Sequence, residues 1–392
     1  MRIRRCEVLL FEPCEAVQFQ LESLLSGGNG MVRTLGWVAL APHLDAPVPL
    51  TPRQRDVLGL LSPSQWVMPG DVEITEDELA ALLELGVVLH EHAVAGSIGA
   101  LHLANDQRLR DSHWHPLGAV LHAFTRWDAV DAVKNTVDAG TDTARGMREV
   151  LGPPPQDTAT AGEIGAIVLP QVDSTDFDAL LRRRATCRNF DHARALPLQV
   201  FTQMLGRVFG AQSQVRVGPD LVFQKKNSPS GGGLHPIEAY LIVQHVEGLA
   251  PGLYRYLPDG HRLMSLPAPD QPLRDFIMES VGQQHWFANA HCLVTLVPRF
   301  DRTFWKYRRH AKGYRVVTLE AGHLSQTLYL SATDLGLGAF ITGAINEKHL
   351  ERGFGLDPIQ QGALAVCGFG WRAQHMETAE LDPLEQVWQR VG

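Results

Sequence analysis

Cysteine is scarce in this sequence, and no two cysteines form a metal or redox motif. The 392 residues include five cysteines, at positions 6, 14, 187, 292 and 367, and none of them stands in a Cys-x-x-Cys pair. This spacing gives no indication of a zinc site or of a catalytic disulfide. An odd number of widely separated cysteines is typical of reduced thiols, so we expect a cytoplasmic protein.

The sequence also lacks long apolar runs and any excess of basic residues. No stretch of about 18 apolar residues is present, and glutamates at 7, 12 and 15 interrupt the apolar residues after the basic N-terminus. We therefore expect neither a signal peptide nor a membrane span. Lysine and arginine number 35 against 43 aspartate and glutamate residues, and this formal charge of −8 argues against a nucleic-acid partner.

Length and composition predict a globular chain of about two domains. Apolar residues make up 45% and charged residues 20%, and domains usually hold ~100–200 residues. Residues 137–173 are rich in glycine, threonine, alanine and proline, which is the composition of a linker. We predict an N-terminal domain over 1–110, a connecting helix and linker over 111–173, and a larger domain over 174–392.

The N-terminal domain contains a pattern of two helices followed by a strand. Thr51 and Pro52 fit the N-cap and first position of one helix. Thr75 and Glu78 match a capping box at the start of the next. The pattern predicts a small winged-helix-like module at about 48–95. Its acidic second helix would repel nucleic-acid phosphate, so the module either binds a peptide or partner or serves as a scaffold.

Three histidines, at 113, 115 and 122, follow that module. Their spacing matches no standard set of metal ligands, and a packed helix accounts for most of this region. We therefore predict no metal site.

A short basic segment opens the C-terminal domain, directly after a helix predicted over 176–183. Arg184 and Arg188 stand four residues apart with the hydroxyl of Thr186 between them. Two planar guanidinium groups and a hydroxyl can converge on one anion, such as a phosphate. A solvated basic helix end, favoured by the helix dipole, is the alternative interpretation.

A second segment, Ser-Pro-Ser-Gly-Gly-Gly at 228–233, precedes a strand predicted at 238–246. Glycines allow the backbone to approach a flat ligand closely, and the serines add hydroxyl donors. The alternative is an ordinary flexible loop. The segment does not follow a strand as a dinucleotide-binding motif would, so a Rossmann fold is disfavoured.

The order of motifs in the C-terminal domain resembles one known family. The motifs are Arg-x-Thr-x-Arg at 184–188, Ser-Pro-Ser-Gly-Gly at 228–232, Pro-Gly-Leu-Tyr-Arg-Tyr at 251–256, Arg-Thr-Phe-Trp-Lys-Tyr at 302–307, Gly-Tyr-Arg at 313–315, Glu-Ala-Gly-His at 320–323 and Leu-Gly-Leu-Gly-Ala at 335–339. This succession resembles the SagB-type dehydrogenases, a peptide-maturing branch of the nitroreductase-like flavoproteins. The resemblance covers about residues 174–375, and the Trp-Lys-Tyr element is its most specific part.

The resemblance implies an α+β fold, in which a mixed sheet is flanked by helices, and FMN as the cofactor. FMN in this family usually lies at a homodimer interface. The cofactor-binding residues that it implies are Arg184, Thr186, Arg188 and Arg372 for the phosphate, Ser228, Pro229, Ser230 and Gly231 along the flavin and ribityl chain, and Gly343 and Ala344 facing flavin N5 and O4.

The same resemblance implies catalytic roles for Lys306 and Tyr307. Oxidation of an azoline ring removes a carbon-bound proton, and a lysine or tyrosine can take that proton as a general base. Since arginines and lysines surround the pair, a basic surface segment is the alternative. The next predicted helix carries Glu320, His323 and Thr327 on one face, for which we expect core or dimer packing.

The resemblance therefore implies an FMN-dependent dehydrogenase. Its substrate would be a thiazoline or oxazoline ring in a ribosomally made precursor peptide, and its expected partners are that peptide, a second copy of the chain and a cyclodehydratase or other maturation enzyme. No nucleic-acid or membrane partner is expected. One alternative is a flavin-dependent reductase of a modified peptide, for example at a dehydroamino acid. The other is a flavin-binding scaffold without catalytic activity.

Overall fold

The computed structural model describes residues 2–155 and 167–388. The helices are α1 (Leu21–Leu25), α2 (Pro52–Leu60), α3 (Glu76–Glu84), α4 (Ile98–Asp111), α5 (Pro116–Phe124), α6 (Ala132–Asp138), α7 (Ala144–Leu151), α8 (Asp176–Arg183), α9 (Leu198–Val208), α10 (Leu273–Ser280), α11 (Phe300–Lys306), α12 (Gly313–Asp334) and α13 (Glu347–Phe354). The strands are β1 (Ile3–Arg5), β2 (Leu10–Phe19), β3 (Met31–Leu40), β4 (Val48–Leu50), β5 (Val88–His90), β6 (Ser213–Gly218), β7 (Leu221–Lys225), β8 (Ile237–Val243), β9 (Gly252–Leu257), β10 (Arg262–Ser265), β11 (Cys292–Pro298), β12 (Gly338–Thr342) and β13 (Ala365–Gly370).

The chain forms two compact units, each assembled from several stretches of sequence. The first unit contains the residues up to Arg126 together with Arg299–Val316 and Asp357–Gly362. The second contains the described parts of Trp127–Pro298, with Val317–Leu356 and the residues from Ala363 onward. These units do not coincide with the domains predicted over 1–110 and 174–392, because Arg299–Val316 groups with N-terminal residues.

The first unit contains the predicted succession of two helices and a strand. Thr51 accepts a hydrogen bond from the amide of Gln54 to cap α2, and Thr75 does the same with Glu78 to cap α3. Strand β5 then pairs antiparallel with β1. A core of apolar side chains lies between these elements and a β2-β3-β4 sheet, and its fully buried members include Ile3, Ala39, Val57, Leu58 and Leu82. The winged-helix assignment itself stays a prediction.

The predicted linker contains more helix than its composition suggested. Residues 144–151 form α7, and the connecting helix and linker over 111–173 stay a prediction. The hydroxyl of Thr143 accepts the amide hydrogen of Gly146 at this N-terminus, and such a cap can start a helix even within a linker-like composition. Residues 156–166 of the predicted linker lie outside the described residues.

The second unit is built around a six-stranded sheet with the order β10-β9-β8-β11-β13-β12. All of its ladders are antiparallel, and Thr186 adds a parallel bridge to Ala339 at the β12 edge. Helices α10 and α13 bury their apolar faces against the sheet, where Phe276 and Phe354 contact each other. The predicted α+β class is therefore confirmed, whereas parallel pairing is found among the described residues only in isolated bridges. Among the described residues, no helix is long and apolar enough to cross a membrane.

Candidate functional site

Residues 184–189, called here the anion segment, follow helix α8 in an extended conformation. The helix spans 176–183 as predicted, and the hydroxyl of Thr175 caps it by accepting the amide hydrogen of Asp178. Arg184, Thr186 and Arg188 are half-buried, whereas the residues between them are buried. Side chains alternate between the two faces of an extended chain. The three predicted phosphate ligands therefore lie on one face of the segment.

Tyr329 of α12 holds this segment against β12. Its hydroxyl lies 3.0 Å from Thr186 Oγ1, and it accepts the amide hydrogen of Ile341 at 3.2 Å. The guanidinium of Arg184 lies 5.3 Å from the centre of the same ring. Burial raises the pKa of Tyr329, so its hydroxyl keeps its proton and can serve both partners. Sequence reasoning missed this residue, because the contact joins positions far apart in the chain.

The three arginines predicted to bind phosphate differ in their surroundings. Within the part of the chain that the structure describes, neither Arg184 nor Arg188 forms an ion pair with a carboxylate. Arg372 is instead paired with Glu380, whose side chain is fully buried. The charges of Arg184 and Arg188 are therefore available to an anion, whereas the charge of Arg372 is neutralised by Glu380.

The serine–glycine loop, residues 228–233, is fixed by one face of helix α12. The hydroxyl of Thr327 donates to the carbonyl of His323, so it accepts from Ser228 at 2.8 Å. The carbonyl of Pro229 accepts a hydrogen bond from His323 Nδ1 at 3.2 Å. We expected core or dimer packing for this face of α12, and the structure shows that its polar side chains hold the loop.

Glu320 is the third residue of that face. Its carboxyl group is buried and accepts a hydrogen bond from the hydroxyl of Ser230. Burial raises the pKa of Glu320, although the hydrogen bond from Ser230 and the nearby charge of Lys226 act in the opposite direction. The loop backbone continues through Gly232 and Gly233 with φ angles of 66° and 68°, a left-handed conformation that favours glycine.

Gly343 and Ala344 form a turn directly after strand β12. Gly343 is exposed, and a Cβ atom placed on it would meet nothing within 4 Å. The buried side chain of Gln284 donates to the carbonyl of Ala344 at 2.8 Å and to Thr342 Oγ1 at 3.0 Å. The amide of Ala344 donates to Thr342 Oγ1 at 3.2 Å. Gln284, which the sequence did not indicate, thus fixes a turn with open space above its glycine.

Lys306 and Tyr307 belong to the first unit, whereas the predicted FMN-binding residues belong to the second. Lys306 ends helix α11 and is exposed, with its Nζ 5.8 Å from the centre of the half-buried Tyr307 ring. Residues 299–315, called here the basic segment, are partly neutralised within their own unit. Arg309 pairs with Glu7 at 2.8 Å, for example.

The histidines near position 115 are explained by packing. His122 stacks on Trp114 with ring centres 5.7 Å apart, and complete burial lowers its pKa to about 3. Within residues 2–155 and 167–388, no group of three or more histidine, cysteine, aspartate or glutamate side chains is arranged to hold a metal ion.

Comparison with known proteins identifies the domain that carries this site. The nitroreductase family model matches residues 181–371. A Methanocaldococcus jannaschii protein named as a nitroreductase is 26% identical over 48% of this chain and 89% of its own length. The trifolitoxin-processing protein TfxB of Rhizobium leguminosarum is 28% identical, over 45% of this chain and 49% of its own. The microcin B17-processing protein McbC of Escherichia coli is 26% identical, over 46% and 65%.

Solved structures give weaker likenesses. A chain of the E. coli microcin synthetase McbBCD complex with truncated pro-MccB17 bound is 17% identical, with a TM-score of 0.47 over 73% of this chain and all of that one. A nitroreductase from Desulfovibrio desulfuricans in complex with FMN is also 17% identical, with a TM-score of 0.34 over 56% of this chain and 98% of that one. At these scores the structures support no conclusion about function.

The family match nevertheless settles the fold of the domain. Residues 181–371 form a nitroreductase-family domain, so the expected nitroreductase-like fold is confirmed. The expected resemblance to peptide-processing members is confirmed as well, through TfxB and McbC. Members of the nitroreductase family are FMN-dependent oxidoreductases.

Proposed function

We propose, from the premise that residues 181–371 form a nitroreductase-family domain, that the chain is an FMN-dependent dehydrogenase of the SagB type. Its reaction would be the oxidation of thiazoline or oxazoline rings to thiazoles or oxazoles in a ribosomally made peptide. One observation carries the cofactor part of this proposal: helix α12 holds both the anion segment and the serine–glycine loop, through Tyr329 and through Glu320, His323 and Thr327.

The residues present fit FMN in three respects. Arg184 and Arg188 offer charge without a carboxylate partner among the described residues, which suits a phosphate. The serine–glycine loop has backbone without Cβ atoms at 231–233, so a flat ring can approach it closely. The open space above Gly343 would admit a flat ring. Arg184, Thr186 and Arg188 would therefore hold the phosphate, and the loop and Gly343–Ala344 turn would line the flavin.

The chemistry divides between cofactor and chain. When bound, FMN supplies the redox step, since it accepts an electron pair with one hydrogen from the ring carbon. The ring loses its second hydrogen as a proton, and Lys306 or Tyr307 would take it as the general base. Lys306 is exposed, as a residue that contacts a peptide approaching from solvent would be. Its neighbouring arginines would favour a peptide with acidic residues.

A peptide substrate is supported by two relatives named for the processing of trifolitoxin and microcin B17. Since this chain spans about half of the first and two thirds of the second, their partners and substrates are transferred here only as proposals. We propose a precursor peptide as the substrate, a cyclodehydratase or similar maturation enzyme as a partner, and a homodimer as the working form. The winged-helix-like module would engage the peptide or the partner.

The proposal is tested with purified protein and an azoline-bearing precursor peptide. We expect the protein to release FMN when denatured, and we expect the peptide to lose two hydrogens per ring by mass spectrometry. A protein that can take up no FMN would contradict every flavin-dependent function. Flavin reduction by NAD(P)H without any azoline oxidation would instead indicate a reductase. Full FMN occupancy without turnover in a complete maturation system would indicate a scaffold.

A further inference from the structure

The C-terminal residues 373–388 lie against the anion segment and are fastened there by polar contacts. The side chain of Asn189 accepts the amide hydrogens of Glu377 and Thr378 at 2.8 Å each, and it donates to the carbonyl of Thr378 at 2.7 Å. The amide of Ala373 donates to the carbonyl of Asn189 at 2.9 Å. These bonds join the tail to the segment through a residue that the sequence analysis did not single out.

Glu380 lies at the centre of this arrangement, with a side chain that is 0% exposed. Its Oε1 accepts the amide hydrogens of Arg188 at 2.5 Å and Asn189 at 3.1 Å, and a further bond from Asn189 Nδ2 at 2.8 Å. Its Oε2 accepts from the guanidinium of Arg372 and from Trp388 Nε1 at 2.8 Å. Both carboxylate oxygens are therefore fully used.

Glu380 fixes the local backbone, because its removal would leave several buried hydrogen-bond donors without a partner. A buried donor that loses its partner costs roughly 1–3 kcal/mol, and a buried carboxylate with several donors satisfies all of them at once. Two consecutive amides that point at one oxygen also fix the direction of the chain at 188–189. Two residues before Arg188, the bridge between Thr186 and Ala339 fixes the backbone. The side chain of Arg188 therefore extends from a backbone that is fixed on both sides of the residue.

We propose that Glu380 is a positioning residue for the phosphate of FMN, an inference that rests on the proposed function. Glu380 would not contact the phosphate itself. It acts through the backbone of Arg188, whose guanidinium it keeps on the same face as Arg184 and Thr186. It also neutralises Arg372, so that the phosphate-binding charge comes from Arg184 and Arg188.

The proposal predicts an effect opposite to simple electrostatics. Removing a negative charge near a phosphate site should by itself tighten phosphate binding. If Glu380 positions Arg188, however, Glu380→Gln weakens FMN binding, because the neutral amide group cannot serve all the donors. Riboflavin has the same ring but no phosphate, so its affinity should not change. A merely structural role would lower both affinities together.

The experiment is a fluorescence titration of the flavin-free protein with FMN and with riboflavin. We expect Glu380→Gln to raise the Kd for FMN about tenfold while the Kd for riboflavin changes less than about twofold. Glu380→Asp, which keeps the charge but withdraws it by one methylene, should give a smaller loss and serves if the first variant does not fold. The matched control is Glu377→Gln, an exposed residue of the same tail, whose FMN affinity should stay equal or increase slightly.

The possible outcomes are distinct. An unchanged or increased FMN affinity in Glu380→Gln, or a parallel loss for both ligands, overturns the positioning role. A wild-type protein that binds neither flavin overturns the proposed function instead. A loss confined to FMN in the Glu380 variants, and absent from Glu377→Gln, supports the inference.

Discussion

The anion segment and the basic segment are both rich in arginine, yet their surroundings differ. In the anion segment, the hydroxyl of Thr186, the backbone of Arg188 and the ring face beside Arg184 each have a specific buried neighbour. In the basic segment, Lys306 and the arginines at 308 and 309 are exposed. Preorganised donors are typical of a site for a tightly held ligand, whereas exposed charges are typical of a surface that meets a partner.

This difference indicates which part of the proposed site is ordered without a ligand and which part would need a bound peptide. In the second unit, the proposed anion site is held by contacts within the protein that need no ligand. The basic segment presents a lysine whose environment a bound peptide would complete. Cofactor binding should therefore depend on few, specific side chains, and turnover should depend strongly on Lys306.

The largest effect is expected at Lys306. Lys306→Ala should lower azoline oxidation by about 10²–10⁴-fold, the usual contribution of a general base, and leave FMN affinity unchanged. Single-turnover oxidation followed by mass spectrometry measures this. Lys312→Ala, another exposed lysine of the basic segment, is the control and should keep its activity. Equal losses in both variants would assign the effect to overall charge.

A large loss of stability is expected from a core substitution in strand β12, the strand that bridges to Thr186 of the anion segment. The fully buried ring of Phe340 stacks on Phe287 with centres 4.0 Å apart. Phe340→Ala should lower the free energy of unfolding by about 3–5 kcal/mol, because it removes a ring from a close-packed core. Chemical denaturation followed by circular dichroism tests this. Trp305 of the basic segment is 51% exposed, so Trp305→Ala should lower the free energy of unfolding much less. Similar losses in the two variants would show that the two regions are packed alike.

A smaller effect is expected when one phosphate-binding charge is removed. Arg188→Ala should weaken FMN binding about 10- to 100-fold, since a hydrogen bond to a charged group contributes about 1.5–3 kcal/mol. Riboflavin affinity should not change, and both are measured by fluorescence titration. Arg183→Ala removes an exposed charge five positions away and should have little effect. If the two variants behave alike, the segment is only a basic helix end.

The smallest effect is expected from the ionisation of Glu320. Burial raises its pKa above the ordinary 4.5, so its contribution to stability is fully present below that pH and is lost as the pH rises through the raised pKa. Glu320→Gln should therefore gain in Tm relative to wild type as the pH increases from about 4 to about 8. Thermal unfolding at both ends of this range tests it, and a constant difference in Tm would show that folding does not raise the pKa of Glu320.

Sequence reasoning succeeded where a structure depends on neighbours in the chain. The caps at Thr51 and Thr75 and the extent of α8 follow from local hydrogen-bonding rules. The alternation that places Arg184 and Arg188 on one face is equally local. The family resemblance added the fold, which the match over residues 181–371 confirmed.

The missed residues all act across long distances in the sequence. Tyr329, Gln284 and Glu380 stand 143, 60 and 192 positions from Thr186, Ala344 and Arg188, the groups that they hold. No periodicity or spacing encodes such pairs. A buried tyrosine, glutamine or glutamate must find a partner, but a single sequence does not say which.

The proposed dehydrogenase is tested most directly by one anaerobic titration of FMN-loaded protein with an azoline-bearing peptide. We expect the visible absorbance of the flavin to bleach in proportion to the azole formed, with one flavin reduced for each ring that loses two hydrogens. We also expect that the Lys306→Ala protein, equally loaded with FMN, does not bleach on the same timescale. Flavin that stays oxidised with the peptide, but is bleached by NAD(P)H, would contradict the account.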